Sequence, residues 1–134
     1  MIEKITHNQE ILAIIIRHDY SEKGINFFTP PGFSQQLGFM KHPKGYVIQP
    51  HIHNQVSRDV SFTQEVLFIR KGKVQMSLFT NQKNFFQNII LKKGDCVLLA
   101  SGGHAFAMLE ESEIIEVKTG PHVGEIDKTR FEIS

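Results

Sequence analysis

An all-β fold, an antiparallel sandwich or barrel, is what this sequence predicts. Glycine, proline and asparagine recur between short runs rich in Ile, Val, Phe and Leu, and several of those runs alternate apolar with polar residues. No long segment spaces its apolar residues at helical intervals, so helix is expected to be scarce. At 134 residues the chain suits a single domain, 1–134, large enough to bury a core without disulfides.

Residues 1–10 are polar. The first expected strand, 11–16, is apolar on both faces, as in a strand covered on one side by the core and on the other by a second subunit. A homodimer is expected on that ground. Thr29-Pro30-Pro31-Gly32 is a turn or coil, because neither proline offers an amide donor. Strands are expected at 36–41 and 46–52, broken by His42-Pro43-Lys44-Gly45, and again from Glu65 to Ile69. Arg70-Lys71-Gly72-Lys73 joins that run to 74–79 as a hairpin, with Val74, Met76 and Leu78 on one face and Lys73, Gln75 and Ser77 on a wet one. A meander through 85–91, 96–99, 104–109 and 114–118 completes the sheet pattern, with polar turns at 81–84, 92–95 and 110–113. The polar tail, about 119–134, is expected to pack loosely.

The formal charge of +1 comes from 15 basic and 14 acidic residues interspersed along the chain, so no basic surface invites nucleic acid or anionic lipid. The single cysteine, Cys96, sits in the apolar run Cys96-Val97-Leu98-Leu99 and reads as a small buried hydrophobe. The apolar run 11–16 is far short of the about 20 residues that a membrane span takes, and no signal-peptide pattern precedes it. A cytoplasmic protein with no membrane partner is expected.

Chemistry concentrates in four residues. His51 and His53 are separated by one residue, so in an extended strand both imidazoles point the same way and can close two corners of a metal site. Glu65 shares a face with Leu67 and Ile69, where a carboxylate is costly to bury unless it meets a cation or hydrogen-bond donors. His104, after Gly102-Gly103, supplies a further corner. Three imidazoles and one carboxylate suit one divalent ion, Fe, Mn, Ni, Zn or Co, with positions left for water or substrate. The bland account makes these histidines polar turn residues.

These residues resemble the two motifs of the cupin superfamily. Gly45, His51, His53, Glu65 and Gly72 match the first motif, and Gly94-Asp95 followed by Ala100-Ser101-Gly102-Gly103-His104 matches the second, over about residues 45–108. Residues 54–64 lengthen the gap between His53 and Glu65 beyond the usual pattern, and Ala100 stands where the family has proline. The resemblance implies a jelly-roll barrel with a metal between its sheets. The whole chain is also similar to single-domain bacterial cupins associated with sugar-nucleotide and surface-polysaccharide synthesis, chiefly through Thr63-Gln64-Glu65-Val66-Leu67 and Ile115-Glu116-Val117-Lys118.

Around this centre, Gln49 shares the face of His51 and Phe106 that of His104, unless Phe106 is simply core; Arg58 lies in the 54–64 insertion, either a solvated loop or a lid whose guanidinium would grip a substrate phosphate or carboxylate. Glu116 and Lys118 would project inward as an acid and base, or form a solvated salt bridge. The function expected is isomerase or epimerase chemistry on a small hydroxylated or sugar-derived substrate; an Fe(II) dioxygenase and a noncatalytic sugar- or acid-binding module are the alternatives.

Overall fold

The computed structural model describes residues 1–133, and its regular structure is antiparallel β. Ten strands occur among the described residues: β1 (Ile2–His7), β2 (Glu10–Ile16), β3 (Gly24–Phe27), β4 (Gly38–Lys41), β5 (Glu65–Lys71), β6 (Lys73–Phe79), β7 (Phe85–Lys92), β8 (Cys96–Leu99), β9 (Gly103–Met108) and β10 (Glu113–Lys118). The one helical element described is a 3-10 turn, Gly124–Asp127. No helix among the described residues is long and apolar enough to cross a membrane.

Two sheets form the body, a five-stranded one in the order β1-β2-β8-β5-β10 and a three-stranded one in the order β7-β6-β9, with β3-β4 as a separate ribbon. Two-residue periodicity explains the layer between them: alternate side chains of each strand point inward, and these are the apolar ones. Ala13, Ile15, Leu67, Ile69, Val97 and Leu99 of the larger sheet pack against Val74, Met76, Leu78, Ile89 and Leu91 of the smaller. Packing the two sheets face to face in this way buries one face of each.

The expected meander is corrected here. β5 does not pair with β6: β5 lies between β8 and β10, whereas β6 lies between β7 and β9, so the turn at Gly72 carries the chain from one sheet to the other. Gly72 has φ of +95°, and a Cβ there would collide with the Glu111 carbonyl and the Ser112 side chain. Only glycine suits such a crossing.

The second apolar face of β2 is covered by the chain itself. Ile14, Ile16 and Leu98 pack under Leu37 with Tyr20, Phe28 and Phe33 against them, so this strand makes no case for a second subunit. The expected strand at 46–52 is absent, and 47–64 has no regular structure. Conversely β1 and β3 form where no strand was expected. In β1 a register shift between Ile5 and Thr6 breaks the alternation, and β3 is four residues long and includes Gly24 and Asn26.

A buried ion pair ties the turn before β8. Asp95, 1 % exposed, accepts hydrogen bonds from the Arg17 guanidinium (3.0 Å), the His18 amide (2.8 Å) and the Lys92 amide (2.8 Å). Asp95 thus ties the segment after β2 to the turn between β7 and β8.

Candidate functional site

Glu65 opens β5, and the residue before it is clamped. Gln64 is buried; its side-chain oxygen accepts from Ser34 Oγ (3.2 Å) and the Gln35 amide (3.0 Å), while its backbone exchanges hydrogen bonds with Thr119. Sequence reasoning passed over this buried glutamine, for which its place beside Glu65 was the available signal. The register then sets what Glu65 faces: Lys118 stands opposite it on β10 and Leu99 opposite it on β8. One step along, Glu116 stands opposite the buried Leu67, so Glu116 and Lys118 lie on the inward-facing side of β10.

His104 reaches the same place from the other sheet. The loop before it is fixed by the Ala100 amide on the Leu12 carbonyl (2.8 Å), Ser101 Oγ on the Ile11 carbonyl (2.8 Å) and the Gly102 amide on Asn81 Oδ1 (2.9 Å). Gly102 has φ of +74°, and a Cβ there would strike the Phe79 carbonyl, so the glycine is what lets the loop pass. In β9 His104 stands opposite the buried Leu78 and points inward, with Nε2 3.8 Å from Glu65 Oε2.

Glu65 is largely withdrawn from water, with 14 % of its side chain exposed, whereas His104 opens to the cavity with 32 % of its side chain exposed. Burial, and then the adjacent Glu116 carboxyl, push Glu65 up from its ordinary 4.5 to about 6. Lys118 and Lys128 pull it partly back. Burial pushes His104 below its ordinary value, and Glu116 only partly offsets this. The imidazole is therefore neutral at pH 7, and its contact with Glu65 is not an ion pair there.

The pair lies on the wall of a cavity of about 1280 Å³ that Asn81, Ser101, Lys128 and Phe131 also line. Part of the tail lines this wall, although residues 120–130 are exposed. Phe131 stacks edge-on against Phe79 at 5.1 Å, and Thr63 Oγ1 donates to Asp127 at 2.7 Å. Lys128 is a functional candidate that the sequence did not announce, since it lies far from Glu65 along the chain.

The four expected ligands fall into two pairs. Glu65 and His104 meet, whereas His51 and His53, 5.4 Å apart ring to ring, sit on the exposed segment 47–62 and do not line the cavity. The physical reason is the missing strand: with no ladder partner, 46–52 is not held against β9. Gln49 and Arg58 lie on the same exposed segment, and the Gln49 carbonyl is 2.9 Å from His51 Nδ1. Phe106 lies 5.6 Å from the His104 ring and packs on the core, with Glu116 nearby on β10. Among the described residues no three His, Cys, Asp or Glu side chains are grouped to hold a metal ion. No protein-family model, curated protein or solved structure matches the chain.

Proposed function

We propose that the chain is a cupin-type barrel that binds a small hydroxylated, sugar-derived substrate and moves a proton on it, as isomerases and epimerases do. The observation that carries this reading is the meeting of Glu65 and His104 on the wall of the large cavity. A carboxyl held at about 6 is close to the working pH, where a general base is most effective. In this reading Glu65 takes the proton from a carbon next to a carbonyl. The electron pair moves to the carbonyl oxygen as an enediolate, which the Lys128 ammonium offsets; Glu65 then returns the proton to the former carbonyl carbon while the hydroxyl on the first carbon passes its proton to the enediolate oxygen, so that the carbonyl is re-formed one carbon along. The neutral His104 ring hydrogen-bonds the substrate oxygens. The likeness to cupins of sugar-nucleotide and polysaccharide synthesis supports a keto sugar as substrate class.

A noncatalytic sugar- or acid-binding module is the second reading, favoured by the tail that packs over the cavity with Phe131 against Phe79. Proton NMR in deuterium oxide with nucleotide-linked keto sugars separates the two. Solvent deuterium appearing in the sugar, reduced about 100-fold or more in Glu65→Gln, supports the enzyme. Binding without exchange supports the module, and neither binding nor exchange overturns both.

A further inference from the structure

One flank of the sandwich is open. β9 is the last strand of the smaller sheet and β10 the last of the larger, and the short turn 109–112 joins them. Side chains that point inward by register end in solvent there. Met108 stands opposite the fully buried Val74 yet is 53 % exposed, and Glu116 stands opposite the buried Leu67 yet is exposed. The outward edges of both strands have no backbone partner among the described residues. Such edges are templates for added strands.

Segment 47–62 has the complementary deficit. It makes no backbone–backbone hydrogen bond among the described residues, and Arg58 and Asp59 are its only charged side chains. Ile52 is 86 % and Phe62 81 % exposed, and Val47, Ile48, Val56 and Val60 are exposed as well. A solvated linker has few such groups, and a structureless loop this long in a compact domain is unusual. Extended, it spans about 50 Å, enough to run along both edge strands.

We infer that residues 47–60, the part of the segment that does not line this chain's own cavity, dock as strands on the open flank of a second copy of this chain, and that the second copy's segment docks in return. Pro50 restricts the pairing in a telling way. Its missing amide shares a strand edge with Ile48 and Ile52, whereas Gln49, His51 and His53 turn their amides to the other edge. The segment can therefore pair on one side only, as an added outermost strand does. A single copy leaves both the flank and the segment unsatisfied, and a two-fold exchange satisfies both at once, because each copy supplies one of each. The exchange also covers Met108 and gives the apolar face of the segment a cover.

Sedimentation equilibrium at micromolar concentration reads the assembly directly, and twice the mass of the chain is expected. Ile52→Asp with Val56→Asp should shift it to the single-chain mass with its β circular-dichroism signal retained. Should that variant fail to fold, cross-linking decides. Two single-cysteine proteins, Cys96→Ser with Val56→Cys and Cys96→Ser with Met108→Cys, are mixed and treated with a short bismaleimide. A covalent heterodimer supports the exchange. A single-chain mass for the unaltered protein overturns it, as does a Cys96→Ser protein carrying both Val56→Cys and Met108→Cys that cross-links only within its own chain. The readout is assembly alone, so a dimer that binds no sugar sinks the proposed function and leaves the exchange standing.

Discussion

At the scale of single residues, Glu65 offers the sharpest test. Its carboxyl rises from 4.5 to about 6 on folding, so between those values the folded chain binds more protons than the unfolded one. Stability contributed by the protonated acid is fully present below 4.5 and is lost as pH rises to 6, an effect of about 2 kcal/mol. Urea unfolding across that range should show the fall in the unaltered protein relative to Glu65→Gln, and equal slopes in the two would remove the buried-acid account. Asp95 is a structural anchor. Asp95→Asn leaves Arg17 and two amides short of a charged acceptor and should cost about 3 kcal/mol in denaturant unfolding. The histidine pair tests the ligand set implied by the motifs. If a divalent ion is held by all four donors in solution, His51→Ala with His53→Ala should lose stoichiometric metal by elemental analysis while staying folded. Unchanged metal content in that variant would assign any bound ion to other groups.

Single elements show how far local pattern reaches. Strands β5 through β10 fall where alternation and turn residues place them, because a two-residue period is a local property of the chain. β1 escaped notice because its bulge spoils the period, and the expected strand at 46–52 has the residues of a strand but no ladder partner in this structure. A strand's hydrogen bonds lie outside itself, so composition alone cannot complete one. The crossing at Gly72 is the element-level prediction. Gly72→Ala forces a Cβ into the Glu111 carbonyl at a positive φ and should lower stability by about 1 to 3 kcal/mol, read as a fall in melting temperature. An unchanged melting temperature would mean that the turn relaxes freely.

Over the whole molecule, the tail and the site belong together. Phe131 packs on Phe79 beside the loop that carries His104. Phe131→Ala should cost about 1 to 2 kcal/mol and loosen the cavity wall, raising the exchange of the Gly103 and His104 amides measured by hydrogen–deuterium exchange. Protection of those amides left unchanged would show that the tail does not brace the site.

The sequence by itself determined the class of fold, most of the strand positions, which face of each strand is apolar, and the two residues, Glu65 and His104, that meet at the cavity. Tertiary structure alone decided that β5 and β6 belong to different sheets, that Glu116 and Lys128 come close to Glu65, that the chain's own Leu37, Phe28 and Phe33 cover β2, and that His51 and His53 stand apart from their expected partners. Alternation is fixed by local backbone geometry, whereas these outcomes depend on which distant segments gain enough burial and hydrogen bonding to offset the entropy of closing the loops between them.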